Sequence, residues 1–322
     1  MVHVRGHMPR SLLRRSCAAL IALIALAAAL LLAAPALAKR PAPHLVIASE
    51  ELKGNPYAFW KEKQLVLVDD TTKNVGSARA GPSVTRVYLV REGNKLLLAQ
   101  RGVPALRPGR HDTGNDTSPL MLPIAFPIGS YTLEICADAK HQVNRRGAHS
   151  CKAMLPRNFF VIPRAWTGTL GGKEIERLTD EWSSPNARLT FDQYEGAGVV
   201  SYLFSGAVTW SDNGEDAGGC KITASGTRTY ANDASIGALS VDYLTETYSG
   251  NLQDTTGPPY QVTFSGCESP PPPQPGAYEP AFWLPLGTGT SVGLPWGSTS
   301  LPGSPRQVNG GTWTWNLQAT HG

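Results

Sequence analysis

Charged residues are scarce in this sequence, since Asp, Glu, Lys and Arg make up only 17% of its 322 residues. Gly and Pro are frequent, with 33 and 26 residues, and both interrupt helices. These counts argue against a coiled coil or a helical bundle. A disordered chain is excluded as well, because 41% of the residues are hydrophobic. No apolar stretch beyond residue 38 is long enough to span a bilayer. The length favours two domains.

Residues 1–38 have the pattern of a secretory signal peptide. Four arginines and no acidic residue accompany an unbroken apolar run over residues 18–34, and Ala36 and Ala38 place small residues at −3 and −1. We expect cleavage before Lys39, with an uncleaved N-terminal anchor as the alternative. The mature chain would then be secreted into the extracellular space or held at the cell envelope, without a stable membrane span.

Five cysteines are present, and Cys17 would leave with the signal peptide. An even number of cysteines in an exported protein favours disulfide bonds, and four cysteines allow three pairings. We favour the sequential pairing, in which Cys136 bonds Cys151 and Cys220 bonds Cys267, because it places one bridge in each predicted domain.

Residues 39–164 contain seven short strand candidates, most of them separated by Gly, Pro, Asn or Asp, which predicts an immunoglobulin-like β-sandwich. The candidates are 45–48, 64–69, 83–90, 95–101, 119–124, 131–138 and 158–162. In the strand that begins at Tyr131, Cys136 alternates with the large apolar residues. We therefore expect Cys136 to point away from the core and its bridge to pin a hairpin rather than to join two sheets.

The same region carries several motifs in a fixed order. These are Pro82-Ser-Val-Thr-Arg-Val-Tyr-Leu, Val103-Pro-Ala-Leu-Arg-Pro-Gly, Gly129-Ser-Tyr-Thr-Leu-Glu-Ile-Cys-Ala-Asp and a later Cys151. On these motifs, residues 44–164 resemble the CARDB domain, the cell adhesion related domain found in bacteria. The resemblance implies an extracellular immunoglobulin-like module and does not imply an enzyme. Family members often carry an acidic stretch before the second cysteine, and this chain has Lys140-His-Gln-Val-Asn-Arg-Arg-Gly-Ala-His instead. The absence of acidic residues from 140–149 argues against binding of a cation by this stretch.

Residues 165–322 show no family resemblance, but they are rich in Val, Thr, Tyr, Phe and Trp, which favour strands. The candidates are 188–193, 199–210, 220–230, 238–244, 260–265 and 312–319, and we expect a second antiparallel β-sandwich or barrel.

Three loop predictions accompany these strands. Asp212-Asn-Gly-Glu-Asp predicts a hairpin turn. The Pro-rich loop 270–275 predicts an exposed polyproline spacer, with a ligand for a proline-recognising partner as the alternative. The Gly-, Pro- and Ser-rich stretch 285–311 predicts a long, weakly ordered excursion.

The charge is divided unevenly between the two halves of the chain. Residues 39–164 hold 19 Lys and Arg and 10 Asp and Glu, whereas residues 165–322 hold 6 and 15. The halves therefore carry net charges of +9 and −9. They could dock on each other, the basic half could bind an anionic or glycan component of the envelope, or the charges could simply solvate the surface. Nucleic acid is not expected as a partner, because the chain is exported and its basic residues are scattered.

The sequence predicts no catalytic residues and no cofactor. Gly289-Thr-Ser-Val-Gly matches a nucleophile elbow, but Leu294 and Pro295 block the helix that must follow Ser291. A triad would also need an acidic residue between Ser291 and His321, and the sequence has none there.

No metal site is predicted either. A zinc site is a minor alternative to one disulfide, although its spacing matches no common zinc finger; its ligands would be Cys136, His141, His149 and Cys151. Calcium binding is a minor alternative to a solvated turn, because the acids lack the spacing of an EF-hand loop; they are Asp212, Glu215 and Asp216.

Seven of the eight tryptophans lie at or beyond residue 166. Trp283 and Trp296 fall in the Gly- and Pro-rich part and form a candidate ligand platform, since an exposed aromatic ring suits a sugar ring. We therefore expect a secreted or cell-surface, non-catalytic adhesion or interaction protein of a bacterial envelope. A carbohydrate-binding protein is the alternative, and an exported hydrolase is the third possibility.

Overall fold

The computed structural model describes residues 41–62, 67–114, 126–143, 150–175, 178–254, 261–275, 282–285, 291–308 and 310–321. Apart from a 3-10 helix at Ala234–Ile236, the regular structure of these residues is β-strand, which confirms the predicted all-β class. The strands are β1 (Leu45–Lys53), β2 (Tyr57–Phe59), β3 (Leu67–Asn74), β4 (Ser83–Arg91), β5 (Asn94–Val103), β6 (His111–Gly114), β7 (Gly129–Ala137), β8 (Ser150–Ile162), β9 (Ala165–Ile175), β10 (Leu178–Gly196), β11 (Val199–Glu215), β12 (Lys221–Ala231), β13 (Gly237–Asp242), β14 (Thr247–Asp254), β15 (Gln261–Ser265), β16 (Gln274–Pro275), β17 (Phe282–Pro285), β18 (Val292–Gly293), β19 (Arg306–Val308) and β20 (Gly311–Thr320).

Strands β1 to β8 form an immunoglobulin-like sandwich of two sheets. One sheet has the order β1-β3-β6, and the other has the order β2-β8-β7-β4-β5. The pairs are antiparallel except for β2, which runs parallel to β8. Alternate residues of both sheets meet in one core, among them Leu45, Val68, Leu89 and Leu133. The predicted strand at 119–124 lies outside the described residues.

One ion-pair network joins the two sheets of this sandwich. Arg101 on β5 donates from Nε to Asp70 Oδ1 at 2.8 Å and from Nη2 to Asp70 Oδ2 at 2.6 Å, and Asp70 lies on β3. The Nη1 of Arg101 also pairs with Asp112 on β6. The Arg101 side chain is 10% exposed and that of Asp70 is 2% exposed, so the contact is screened little by water.

The remaining strands belong to a third sheet, which is antiparallel and has twelve strands. Its main path is β16-β15-β12-β11-β10-β9-β20-β19. The first part of β11 pairs with β13, and the rest pairs with β12, so the sheet branches along this long strand. Strand β14 pairs with β13 and also holds β17 and β18. The inner face of this sheet forms a large, aromatic-rich core, and its strands confirm the all-β class expected for residues 165–322.

Tryptophans fill this inner face because glycines leave room for them. Trp182 and Trp313 stack with ring centroids 4.5 Å apart. Gly172 is paired with both residues in the sheet, so it lies beneath the stacked rings. Trp210 covers Gly226 in the same way on the neighbouring strands.

The two β regions share a core where they meet. Strand β8 ends at Ile162 and β9 begins at Ala165. Phe160 and Ile162 belong to the same hydrophobic cluster as the core of the twelve-stranded sheet. The Tyr202 hydroxyl donates to the carbonyl of Pro163 at 3.2 Å. Residues 43–322 accordingly form one compact unit.

An ion pair also connects the oppositely charged halves, between Arg91 and Glu246. Most of the contact between the halves is nonetheless apolar and aromatic, as the shared cluster indicates.

The hairpin turn predicted at Asp212 is wrong. Strand β11 continues to Glu215, and the turn is formed by residues 216–219. Asp216 Oδ1 accepts hydrogen bonds from the backbone N–H groups of Gly218 and Cys220, both at 2.8 Å. Gly219 adopts a φ of +79°, which favours glycine, so the true turn uses the glycine pair that follows the acidic residues.

The prediction that 285–311 is weakly ordered is wrong for residues 291–308. Leu294 and Leu301 are both buried in the core, and β18 and β19 each pair with a neighbouring strand. Apolar residues spaced through the Gly- and Pro-rich stretch anchor it at intervals. In the Pro-rich loop, Pro270–Pro273 form no strand and Gln274–Pro275 form β16 at the end of the main sheet path.

Candidate functional site

A pocket of about 500 Å³ opens where the sandwich meets the loop that follows β18. Its walls come from the β4–β5 hairpin, from the segment leading into β7, and from Trp296. The lining residues are Arg91, Glu92, Asn94, Lys95, Leu96, Phe126, Pro127, Tyr131 and Trp296.

Strand alternation explains why these side chains converge. Arg91 follows Leu89 by two residues on β4, so both point to the inner face of the sheet. Leu96 on β5 is paired directly with Leu89 and therefore shares that face. Tyr131 precedes Leu133 by two residues on β7, and Leu133 is also paired with Leu89. The pocket is thus an accessible part of the sandwich interior.

Trp296 is held in place by the sandwich. The N–H of Gly297 donates to the carbonyl of Ile128 at 2.8 Å. A Cβ at Gly129 would lie 2.9 Å from the indole Nε1, so glycine is required for the close approach of the ring. The Arg91 guanidinium lies 5.0 Å from the centroid of the ring, and the Tyr131 ring lies 5.9 Å away. Trp296 remains 38% exposed.

The charged groups at the rim already have partners. Arg91 pairs with Glu246 and donates to the carbonyl of Ser130 at 3.3 Å, while Lys95 pairs with Glu134. The Tyr131 hydroxyl donates to the carbonyl of Pro127 at 2.7 Å. Burial raises the pKa of Tyr131 well above its usual value, although Arg91 and Trp296 act in the opposite direction. The pocket therefore offers an apolar, aromatic floor and an ion-paired rim.

Both disulfides have the sequential pairing. The Cα atoms of Cys136 and Cys151 are 4.0 Å apart, and those of Cys220 and Cys267 are 4.8 Å apart. Cys136 is paired directly with Cys151 across β7 and β8, so this bridge pins a hairpin as expected.

The disulfide leaves no thiolate for the zinc alternative. Cys136 and Cys151 lie near Glu134, but both sulfur atoms are bonded to each other. His149 lies outside the described residues.

The structure places the two candidate platform tryptophans on different elements. Trp283 lies on β17, paired with Gln253 of β14, and its side chain is outside the described part of the molecule. Trp296 lines the pocket. Ser291, from the elbow-like motif, is exposed, and no helix occurs within 291–308. That stretch therefore lacks the strand-to-helix geometry of a nucleophile elbow.

The acids weighed for calcium binding are not arranged as one loop, since Asp212 lies within β11 and Asp216 lies in the turn. Asp212 is paired directly with Asp180 of β10 and is only 8% exposed. Burial, together with the charge and hydrogen bond of the neighbouring Asp180, raises the pKa of Asp212 to about 7.

The raised pKa of Asp212 predicts that the free energy of unfolding falls as the pH rises from 5 to 8. Asp212 ionises near its ordinary value of 3.8 in the unfolded chain but only near 7 in the folded protein. Between these values the folded state holds the extra proton, so it loses stability with rising pH, on the order of 2 kcal/mol between pH 5 and pH 8. In urea unfolding, the free energy of unfolding of Asp212→Asn should not fall over this pH range. Glu215→Gln, which changes an exposed side chain, should show the same fall as the unaltered chain. An unchanged pH profile in Asp212→Asn would contradict the assignment.

Sequence reasoning missed most of the pocket residues. The available signal was Leu96-Leu-Leu, because three consecutive leucines on one strand cannot all face the core. Nothing in the sequence indicated that Arg91 and Tyr131 would meet Trp296.

No helix among the described residues is both long and apolar enough to cross a membrane. Comparison of the chain with protein-family models, with curated proteins and with solved structures finds no match in any of the three. The likeness of residues 44–164 to the CARDB domain therefore stays a prediction.

Proposed function

We propose that this protein is an exported, non-catalytic adhesion or interaction protein of a bacterial envelope. We further propose that it binds its ligand in the pocket lined by Arg91, Leu96, Tyr131 and Trp296, which we call the junction pocket. The observation that carries the proposal is the pocket itself, whose volume of about 500 Å³ and apolar, aromatic floor are typical of binding sites. The signal-peptide pattern and the two disulfides support an oxidising location outside the cytoplasm.

The charge distribution in the pocket also favours binding. Arg91 and Lys95 are each ion-paired with a carboxylate, and these contacts orient the rim of the pocket. The CARDB-like motifs of the sandwich also support an adhesive role.

Glycan binding is the second candidate function. It is favoured by the partly exposed ring of Trp296, which lines the pocket beside Tyr131. Arg91 lies over the Trp296 ring, however, which reduces the area left for stacking a sugar. Competition by soluble cell-wall polysaccharide separates the two candidates.

We expect Trp296→Ala to weaken the binding of the mature chain to cell-envelope fractions by about tenfold or more, because a central aromatic anchor is lost. The effect should persist at high salt, since the pocket floor is apolar. Ile175→Ala, which changes an exposed side chain outside the pocket, is the matched control. Sedimentation with envelope fractions at low and high salt measures this. Equal binding by both variants and the unaltered chain would refute the pocket as the binding site.

A further inference from the structure

We propose that β5 binds an extended, acidic peptide segment of a partner protein as an additional antiparallel strand. One apolar side chain of that segment would enter the junction pocket. The inference rests on the proposed function and names the class of its partner.

Strand β5 is the edge of the five-stranded sheet among the described residues, and it pairs only with β4 there. An edge strand presents unpaired backbone N–H and C=O groups that can pair with another chain. The first four residues of β5, 94–97, are exposed. A register shift at Val87/Tyr88 leaves Leu98 as the extra residue of a bulge, so 94–97 is a separate short edge.

Two of the four exposed side chains at this edge are hydrophobic, and the other two are Asn94 and Lys95. Leu96 and Leu97 are 38% and 42% exposed. Together with Trp296 they are three of the six large hydrophobic residues exposed in the described part of the chain. Lysine is a residue that commonly protects an edge strand, but Lys95 is ion-paired with Glu134. Two adjacent exposed leucines on an edge strand favour a contact surface.

The pairing geometry connects this edge to the pocket. Leu96 lies on the inner face of the sheet, opposite Leu89, and it forms one wall of the pocket. A strand added beside β5 would continue the sheet and place every second side chain on the same inner face. The side chain beside Leu96 would therefore lie over the pocket, which provides backbone pairing for affinity and a pocket for specificity.

Charge favours an acidic peptide over a second copy of the chain. Residues 39–164, to which β5 belongs, have a net charge of +9. Two copies that paired through β5 would bring two such basic regions together, which is unfavourable. Acidic residues flanking the apolar anchor of a peptide would be attracted instead.

The test begins with selection of random twelve-residue peptides, displayed on phage, against the mature, disulfide-bonded chain. Selected peptides should alternate apolar and polar residues and contain an acidic flank. Synthetic copies are then titrated by calorimetry. Leu96→Glu should weaken binding by about tenfold or more, and Ile175→Glu, an exposed control on β9, should change it by less than about twofold.

Backbone N-methylation distinguishes strand addition from a general hydrophobic contact. Methylating the amides that face β5 removes a hydrogen bond and introduces a clash, so every second position should lose about tenfold or more while the others change little. The proposal would be overturned if the selection enriched no peptide, or if the effect of N-methylation did not alternate along the peptide. It would also be overturned if the peptides bound Leu96→Glu as tightly as the unaltered chain.

The outcome separates this inference from the proposed function. Envelope binding that depends on Trp296 but is displaced by polysaccharide and not by the peptides would leave the pocket as the site and refute the peptide ligand. Concentration-dependent dimerisation abolished by Leu96→Glu would show that the edge serves a second copy, and would also refute it. Absence of any envelope binding by the unaltered chain would refute the proposed function itself.

Discussion

Replacing Arg101 with alanine should lower the free energy of unfolding by about 3–5 kcal/mol. The substitution leaves the Asp70 carboxylate buried between the sheets without its bidentate partner, and only 2% of that side chain is exposed. Burial lowers the pKa of Arg101, but hydrogen bonds and charges from Asp70 and Asp112 outweigh it and raise the pKa overall. The cost therefore comes mainly from an uncompensated buried charge.

Urea unfolding followed by tryptophan fluorescence measures this effect, and Arg86→Ala is the matched control. Arg86 lies on the neighbouring strand β4 and contacts the neutral Gln100 in an exposed hydrogen bond, so its loss should cost less than about 1 kcal/mol. The double variant Arg101→Met with Asp70→Leu should regain most of the lost stability, because the remaining carboxylate of the network, Asp112, is 29% exposed and stays hydrated. Similar losses for Arg86→Ala and Arg101→Ala would show that the network does not clamp the sheets.

Gly172→Ala should destabilise the protein by about 3 kcal/mol. A Cβ at Gly172 would lie 2.5 Å from Cε2 of Trp182 and closer still to the Trp313 ring. Both indoles are buried and stacked on each other, so displacing either one disrupts their contact. The strand must therefore shift or the stack must open.

The neighbouring Gly171 provides a control on the same strand. Its Cβ would point to the outer face and meet Thr314 Oγ1 at 3.2 Å, so Gly171→Ala should cost less than about 1 kcal/mol. Thermal unfolding of both variants, with near-ultraviolet circular dichroism of the indoles, gives the comparison. If both alanines were equally tolerated, the tryptophan stack could not be the reason for glycine at position 172.

Sequence alternation was sufficient where a strand has one buried and one exposed face. Residues 83–90 and 131–138 were predicted as strands, and they match β4 and most of β7. Residues 83–90 are rich in Val, Thr and Tyr, and the large apolar residues of 131–138 recur at every second position. The same reasoning found only the later part of β10, from Arg188. Ser184, Pro185 and Asn186 are typical of a break, but the structure absorbs them as an irregularity between two paired stretches.

The candidate site was only partly predictable for a different reason. Trp296 was identified because it stood out in a Gly- and Pro-rich stretch. Its neighbours Gly129 and Tyr131 are more than 160 residues away in sequence, and their contact depends on how the two β regions pack. Composition gave the charge of each half correctly, but it could not show that an apolar core would join them.

The short link between β8 and β9 has a practical consequence for any attempt to divide the molecule. A fragment ending at Arg164 would expose Phe160 and Ile162 to water, together with Tyr57 and Ile128, all of which are buried in the shared cluster. Such a fragment would tend to aggregate, and a protease would find little accessible chain at Pro163. The sandwich, which forms most of the junction pocket, and the region that supplies Trp296 should therefore unfold together, in one cooperative transition.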